Sequence, residues 1–409
     1  MTRTDRRGFL QQVAGSLAAV ALSPEFLPLP PPRRGAPLQI GVIGAGGRQG
    51  RAILTELLKF EAAKVAAVCD VRDERLKQAV RRASGAAAYA DHRKMLDEQK
   101  DLVAVVVTTP THRHREVAID ALKAGKHVYC EAPLAASLDD LKAIAAAARE
   151  AKTTFHVGHQ LRSNPVYQLA RSFLVSGNIR DVVQVRAQWH QKTSWRVPGD
   201  DPELNWRLAR KNACGLPLEA GAHQVDVVTW YLGKFPTAVR GHGALLSWND
   251  GRDAPDTVEA SLAFPDGVRM HWDATLANSF DGQHELFVGT MGTIKMAETF
   301  GWLFKEADAP TQGWEVYASR EKFHSEEGIT LIADATQLAK QGKLKEGIGL
   351  PNPPLYYALQ DFLKSVAEQK PATCGVADGY RAAAIALRID EAIGKNEELA
   401  IGPEQLQGA

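Results

Sequence analysis

The sequence predicts an α/β protein: a doubly wound parallel sheet, followed by an α+β domain with an open, largely antiparallel sheet. A buried strand at residues 38–43 runs directly into a glycine-rich turn and then an apolar-periodic helix. Strands and helices alternate from there to residue 158, as they do in parallel βα units. Beyond residue 158, longer strands with partial alternation of apolar residues indicate a sheet with one solvated face.

Size and composition allow two domains. The chain has 409 residues, of which 45% are hydrophobic, so it can build a substantial core. We expect a signal and linker at residues 1–35, a dinucleotide-binding domain at 36–158 and a substrate-binding α+β domain at 159–409, with C-terminal helices that can pack back on the first domain. Because 49 basic residues balance 48 acidic ones, the charge favours a small-molecule ligand over nucleic acid.

The N-terminus carries a targeting pattern. Arg6 and Arg7, followed by Phe9-Leu10 and a mild apolar run at residues 13–22, resemble a twin-arginine export signal. We therefore expect the twin-arginine machinery to export the protein to the periplasm or beyond. The apolar run is too short for a stable membrane anchor. A disordered basic tail on a cytoplasmic protein is the alternative.

The first turn has the spacing of a nucleotide cradle, G-x-G-x-x-x-G. Gly44 permits a tight turn, and Gly46 lets the backbone approach a pyrophosphate. The N–H groups of the following helix face the anion. We expect cofactor contacts from Gly44, Gly46, Gly47, Arg48 and Gln49.

The second strand, at residues 65–69, ends on Asp70. In dinucleotide-binding folds of the Rossmann type an acid at this place accepts a hydrogen bond from a ribose hydroxyl. A carboxylate there repels a 2′-phosphate, so the sequence favours NAD over NADP, although Arg72 and Arg75 leave room for the phosphorylated form. The alternative is that Asp70 caps the helix that begins near Asp73.

Further elements follow in order. In the first domain we expect strands at residues 87–90, 102–107, 127–130 and 154–157, and helices at 114–124 and 137–151. In the second we expect strands at 181–190, 257–264, 268–276 and 285–288, and closing helices at 354–368 and 376–393. Long connections at 191–217 and 301–350 are expected to shape the site. The four cysteines form no C-x-x-C pair, and we expect neither a disulfide nor a metal site.

Several segments together carry a family resemblance. They are Thr109-Pro110-Thr111-His112-Arg113-His114, Ala121-Leu122-Lys123-Ala124-Gly125-Lys126-His127-Val128-Tyr129-Cys130-Glu131-Ala132-Pro133-Leu134, Gly158-His159-Gln160-Leu161-Arg162-Ser163-Asn164-Pro165, Gln188-Trp189-His190, Asn205-Trp206-Arg207 and Glu219-Ala220-Gly221-Ala222-His223-Gln224-Val225-Asp226. This set resembles the Gfo/Idh/MocA family of nicotinamide-dependent oxidoreductases. It is especially similar to the family's NAD-dependent N-acetylgalactosaminidase branch.

The resemblance implies further cofactor contacts after the third and fourth long strands. These are Thr109, Pro110, His112, His114, Glu131 and Pro133. One position departs from the family pattern, because Ala132 stands where the dehydrogenases have a lysine. That lysine is taken to contact the reacting hydroxyl and to favour the alkoxide, which alanine cannot do. Simple dehydrogenase chemistry by the family's usual means is therefore in doubt.

Three residues are candidates for proton handling. Glu219 lies four residues before His223, so both face one side of a helix if its first turn extends back to Glu219. A carboxylate beside an imidazole raises its basicity, which suits a general base, although such pairs are more often structural. The resemblance implies the catalytic role. His190 ends a strand beside Trp189, and it either reaches into a cleft or lies at the sheet edge in solvent.

Three residues could recognise a sugar: Trp206 by stacking on the ring, and Arg162 and Arg207 by donating paired hydrogen bonds to its hydroxyls. Each of them also suits a core or salt-bridged position. Asp226, one turn past His223, either binds a substrate hydroxyl or supports structure. His112 and His114 are two residues apart and make no metal pair.

The sequence thus predicts an NAD(P)-dependent oxidoreductase that acts on a carbohydrate by hydride transfer from a sugar CH–OH, with His223 as base. One alternative is an exported glycosidase that uses tightly held NAD in a redox-neutral cycle. A second is a non-catalytic sugar- or nucleotide-binding protein. By analogy with the family, we also expect the protein to form a homo-oligomer.

Overall fold

The computed structural model describes residues 36–313, 315, 318–323, 326–333 and 335–408. The export signal predicted within residues 1–35 lies outside the described residues. In the part of the chain that is described, no helix combines the length and apolar composition that a membrane span requires.

Six strands form the first sheet. They are β1 (Leu38–Ile43), β2 (Ala63–Cys69), β3 (Ala87–Tyr89), β4 (Ala104–Val107), β5 (His127–Cys130) and β6 (Phe155–Val157). All pairs are parallel and the order is β3-β2-β1-β4-β5-β6. The chain winds outward in both directions from β1 and β4, and such a switch point opens a crevice at the carboxyl ends of the strands. The predicted doubly wound parallel sheet is confirmed.

Five helices connect these strands. They are α1 (Arg48–Leu57), α2 (Asp73–Arg82), α3 (His92–Glu98), α4 (His114–Lys123) and α5 (Leu138–Glu150), with a 3₁₀ turn at Thr111–Arg113. The apolar face of α1 buries Ile53, Leu54 and Leu57 against the sheet. All four residues of β4 are buried, as expected for a central parallel strand covered on both faces.

Ten strands form the second sheet. They are β7 (Val182–His190), β8 (Ala238–Ala244), β9 (Thr257–Ala263), β10 (Arg269–Thr275), β11 (Gln283–Gly289), β12 (Gly292–Ala297), β13 (Phe300–Lys305), β14 (Arg320–Phe323), β15 (Glu326–Thr330) and β16 (Leu399–Ala400). The order is β14-β15-β13-β12-β11-β7-β10-β9-β8-β16. Only the β7–β10 pair is parallel among the described strand pairs of this sheet, so the predicted, largely antiparallel sheet is confirmed.

Seven further helices follow in the described residues; some of them pack on the second sheet and some contact the first. They are α6 (Pro165–Val175), α7 (Arg210–Ala213), α8 (Ala222–Leu232), α9 (Ala335–Lys340), α10 (Pro354–Glu368), α11 (Val376–Lys395) and α12 (Pro403–Leu406), with a π-helical turn at Pro217–Gly221 and 3₁₀ turns at Gln160–Ser163, Trp206–Leu208 and Leu344–Gly347. Leu359 and Phe362 of α10 share a core with Ile53 and Leu54 of α1, so α10 packs on the first sheet.

The long connection expected at residues 301–350 is not a loop. It holds most of β13, all of β14 and β15, and α9. In β13 the side chains alternate: Phe300, Trp302 and Phe304 lie on one face, and Leu303 is buried on the other. This period of two is the strand signal, but it is short and interrupted by glycine, so the prediction was wrong here.

A buried polar network joins α6 and α8 to the second sheet. Glu285 on β11 is fully buried and accepts hydrogen bonds from the Tyr167 hydroxyl at 2.7 Å and from Gln224 Nε2 at 3.1 Å. The Gln224 carbonyl in turn accepts from Trp272 Nε1 at 2.8 Å. Burial raises the pKa of the Glu285 carboxyl to about 7, against the hydrogen bonds that oppose the rise.

We predict that Glu285→Gln flattens the pH dependence of stability. Because the pKa of Glu285 is about 7 in the folded chain and ordinarily 4.5, the native state binds more protons between these values. The free energy of unfolding therefore falls as pH rises through that window. Between pH 5 and pH 8 wild type should lose roughly 1–3 kcal/mol more of its free energy of unfolding than the variant does, measured by urea titration at several pH values.

Glu259→Gln, on the solvated face of β9, is the matched control and should keep the wild-type slope. An equal slope in wild type and Glu285→Gln would show that this carboxyl carries no shifted proton.

Candidate active site

Three successive strands of the first sheet end on buried polar atoms that have no hydrogen-bond partner. They are Thr109 Oγ1 after β4, Glu131 Oε1 after β5, and both ring nitrogens of His159 after β6. Buried polar atoms are normally paired, so such a row indicates a site whose partners come from a ligand. It lies at the carboxyl edge of the sheet, beside the switch point between β1 and β4.

The glycine-rich turn lies at the same edge. Gly44 has a φ of +84°, and a side chain there would lie 2.8 Å from the backbone of Thr108. Helix α1 then begins at Arg48, with no side-chain cap and no acidic residue in its first turn. The first N–H groups of α1, including those of Arg48 and Gln49, therefore face an open position that an anion can occupy. Gly47, the N-cap residue, donates its N–H to Gly44 O at 3.2 Å.

Asp70 is engaged by the protein itself. Its Oδ2 accepts from Gly46 N at 2.9 Å and its Oδ1 from Arg72 N at 3.1 Å. It does not cap α2, whose N-cap residue is Arg72 and has no side-chain cap bond. A Cβ at Gly46 would meet the backbone of Arg75 at 2.6 Å, so this glycine is needed for contact with α2. The carboxylate thus shapes the turn, and each oxygen keeps one lone pair for a ribose hydroxyl.

Glu131 lies 7% exposed at the end of β5. Burial raises the pKa of its carboxyl to about 7, and the nearby Gln49 and Tyr129 side chains oppose the rise. A side chain at Gly158 would lie 2.9 Å from Glu131 Oε2, which places the carboxyl beside the strand end that carries His159. The Ala132–Pro133 peptide bond that follows is cis.

His223 lies at the start of α8 against His159. The two ring centroids are 5.1 Å apart, with 76° between the planes. Burial, with His159 nearby, lowers the pKa of His223 to about 4 against the opposing carboxylates of Asp226 and Glu219. Burial and the Arg162 cation lower the pKa of His159 to about 3. Both imidazoles are therefore neutral at pH 7, and a neutral imidazole can accept a proton.

Glu219 does not orient His223 by a hydrogen bond. Helical backbone does extend back past Glu219 through the π turn, but the carboxylate has other partners. Its Oε2 accepts from Arg207 Nε at 2.6 Å, and its Oε1 accepts from Thr111 Oγ1 at 3.0 Å. The Glu219 side chain is only 6% exposed, so these donors compensate its buried charge. It ties the turn after β4 to the second domain.

Arg162 and Asp226 pair with each other. Arg162 Nε and Nη2 donate to the carboxylate at 2.8–3.0 Å, and Nη1 lies 3.3 Å from Asp378. Asp226 is 1% exposed. Of the two roles that the sequence leaves open for Asp226, this ion pair favours the structural one. Arg162 has no free pair of donors for a sugar, because its guanidinium is engaged by Asp226 and Asp378. A buried charge needs such a partner.

Trp206 and Arg207 remain at the crevice. The Trp206 ring lies 5.8 Å from His112 and 4.4 Å below the Arg207 guanidinium. The Arg207 side chain is 40% exposed, and its terminal amino groups make no hydrogen bond to the described residues. His112, whose Nδ1 is buried without a partner, and Pro110, which precedes its 3₁₀ turn, lie on the first-domain side.

Two predicted histidines lie elsewhere. The His190 ring bonds Asp273 Oδ2 at 2.5 Å, and Asp273 lies on the solvated face of β10, opposite the face where Trp272 packs on Gly221 before α8. His190 is therefore separated from His223 by the sheet. The His114 ring contacts the carbonyls of Thr109, Pro133 and Leu134 at 2.9–3.2 Å, so it holds two loops together and has no nitrogen left for a cofactor.

Two residues at the site were not predicted from the sequence to have a role there. His159 and Thr111 stand inside segments that carry the resemblance, yet neither was assigned a role. The available signal was position alone, because both follow the carboxyl ends of predicted parallel strands. Among the described residues, no cluster of three or more His, Cys, Asp or Glu side chains could hold a metal ion.

Two family profiles match the chain, one for each domain. The profile "Oxidoreductase family, NAD-binding Rossmann fold" of Gfo/Idh/MocA matches residues 38–159, and the profile "GFO/IDH/MocA C-terminal domain" matches residues 167–295. Levoglucosan dehydrogenase of Pseudarthrobacter phenanthrenivorans is 25% identical over 355 residues, covering 80% of this chain and 87% of that protein. The 2,7-anhydro-N-acetylneuraminate hydratase of Escherichia coli is 30% identical over 205 residues, covering 49% and 53%.

Among solved structures, levoglucosan dehydrogenase in complex with NADH and levoglucosan superposes with a TM-score of 0.72 at 24% identity, covering 89% of this chain and 99% of that one. This likeness shows the shared fold. The two profile matches together span more than half of the chain, and with them the crevice and its glycine-rich turn show that the chain belongs to the Gfo/Idh/MocA family of oxidoreductases.

Proposed function

We propose that this protein is an NAD-dependent enzyme that oxidises a carbohydrate at a CH–OH group. The observation that carries the proposal is the His223 ring, packed against His159 beside the row of unpartnered polar atoms. Relatives named for sugar dehydrogenation and for anhydro-sugar hydration support a carbohydrate substrate.

The residues present fit a nicotinamide dinucleotide. The open N–H groups of α1 suit its diphosphate, and the remaining lone pairs of Asp70 suit a ribose hydroxyl. Thr109 Oγ1 and Glu131 Oε1 are available to the ribose and amide groups further along the crevice. When bound, the nicotinamide ring supplies the hydride acceptor.

We propose NAD as the preferred form over NADP. The Asp70 carboxylate lies at the ribose end of the crevice, where its charge repels a 2′-phosphate. Arg72, a cation that could offset this charge, is paired with Asp201.

His223 acts as the general base in this proposal. Its neutral ring takes the proton of the sugar hydroxyl as the carbon loses hydride. The buried surroundings that lower its pKa disfavour the cation, so the base is already unprotonated when the sugar binds. The Trp206 ring lies under the Arg207 guanidinium and supports it, and the terminal amino groups of Arg207 suit the sugar hydroxyls.

A second candidate is a redox-neutral glycosidase. Ala132 stands where the family's dehydrogenases carry the lysine that stabilises an alkoxide, so net oxidation lacks its usual support. In the redox-neutral cycle the sugar would be oxidised at a ring carbon, lose its aglycone by elimination, add water and be reduced again, so that the hydride given to the cofactor returns to the sugar. The twin-arginine pattern supports this candidate, because an exported enzyme has little free cofactor to exchange with.

We predict that His223→Ala abolishes most turnover and leaves NAD binding intact. Removing a general base costs about 10²–10⁴-fold in kcat. NAD affinity, measured by calorimetry, should change little, because the imidazole meets the sugar. His271→Ala on the solvated face of β10 is the control. Unchanged kcat in His223→Ala would remove the residue from the mechanism, and no turnover in wild type on any sugar or glycoside would favour a binding protein.

The pH profile supplies an independent prediction. Because the pKa of His223 is lowered from 6.5 to about 4, the base stays neutral as pH falls through 6.5 and is lost only near pH 4. The acid limb of kcat/KM should therefore bend near pH 4–5. A midpoint between 6 and 7 would mean that a group other than His223, such as the Glu131 carboxyl, limits the reaction.

The two candidate reactions differ in net redox change. We expect purified protein to cleave p-nitrophenyl glycosides without accumulating NADH if the redox-neutral cycle operates, and to accumulate NADH from free sugars plus NAD if it is a dehydrogenase. Cleavage in D₂O should also place deuterium on the carbon that loses its proton in the elimination. His223→Ala should lower the rate of whichever reaction is seen, and a wild-type rate in that variant would remove His223 from the mechanism.

A further inference from the structure

One segment of the second domain reaches back over the first. We call residues 199–206 the strap. Asp201 Oδ2 lies 2.5 Å from Arg72 Nη2, and Arg72 follows the carboxyl end of β2. At its other end the strap contacts the 3₁₀ turn after β4, where Glu203 lies 3.9 Å from Arg113 and the Trp206 ring lies 5.8 Å from His112.

The strand order of the first sheet indicates which part of the first domain lies beneath the strap. In the first sheet β1 lies between β2 and β4, and the glycine-rich turn follows β1 at the same edge. Neighbouring strands are about 4.8 Å apart, so anchors on the loops after β2 and β4 are roughly 10 Å apart, with the turn between them. The strap therefore passes over the turn that holds Gly44 and the start of α1.

The strap is held in shape by its own hydrogen bonds. The buried Asn205 amide donates to Gly199 O at 2.9 Å and to Asp201 O at 3.2 Å, and its carbonyl accepts from Val197 N at 2.7 Å. Asn205 N also donates to Asp201 O at 3.0 Å. A loop braced in this way keeps its form when an anchor breaks, so it can swing as a unit.

We propose that Asp201 fastens the strap across the bound dinucleotide and thereby slows its release. The inference rests on the proposed NAD site and adds retention of the cofactor, which a redox-neutral enzyme needs and an exchanging dehydrogenase does not. A dinucleotide whose diphosphate meets α1 lies beneath the strap, so it leaves only after the Arg72–Asp201 and Arg113–Glu203 contacts have parted.

The test compares charge-neutral variants of equal size. Asp201→Asn removes one anchor, and Asp201→Asn with Glu203→Gln removes both. Asp200→Asn is the control, because its partner Arg196 lies three residues before the strap in the second domain and the pair does not reach the first domain. Each protein is loaded with NAD, freed of excess, and followed as released NAD is consumed by added alcohol dehydrogenase and ethanol, so the readout is a release rate and not turnover.

We expect Asp201→Asn to release NAD about two to five times faster than wild type, the double variant about ten times faster, and Asp200→Asn at the wild-type rate. High salt should speed release from wild type more than from the double variant, because it screens exposed ion pairs.

Two results would overturn the proposal, and they are distinct. Equal release rates in wild type, Asp201→Asn and the double variant would remove the strap and leave the NAD site standing. A wild-type protein that takes up no NAD at millimolar concentration would overturn the proposed function, and the strap's role with it.

Discussion

The candidate site depends on packing two uncharged imidazoles against each other, of which His159 is buried and His223 is partly exposed. His159 and His223 lie ring to ring, and the Arg162 cation is close enough to lower the pKa of His159 further. That cation is tolerable only because Asp226 holds it with two parallel hydrogen bonds. The ion pair, which contacts no reacting atom in this proposal, thus keeps a buried cation beside His159, where it disfavours protonation of that imidazole.

The fold followed from the sequence wherever one pattern persisted over a whole element. The β5 strand at His127–Cys130 was predicted at its observed bounds, and β1 and β4 read as apolar runs because parallel strands are covered on both faces. The pattern failed at β13, where glycine and three aromatic side chains on the solvated face hid the strand. On that face Trp302 and Phe304 pack against Phe323, which lies in a later strand.

The site was predicted by residue type more reliably than by partner. The glycine-rich turn, His223 and Trp206 lie at one crevice, whereas Glu219 is bound by Thr111 and Arg207, and His190 by Asp273. Partner choice is a property of distant chain segments: Thr111 and Glu219 are 108 residues apart, and His190 and Asp273 are 83 apart. Local spacing cannot choose between a near carboxylate and one supplied by another element.

At the crevice, Glu131 and His223 have pKa values in the reverse of the usual order for a carboxyl and an imidazole. Burial raises the pKa of the Glu131 carboxyl to about 7 and lowers that of the His223 imidazole to about 4, so near neutral pH the carboxyl exists in both protonation states while the imidazole is unprotonated. Hydride transfer alone needs only a base. Elimination of an aglycone followed by addition of water needs an acid and a base in turn. The crevice offers one group of each kind, a carboxyl that can carry a proton at neutral pH and an unprotonated imidazole, and this pair is the feature that keeps the redox-neutral cycle as the second candidate beside net oxidation.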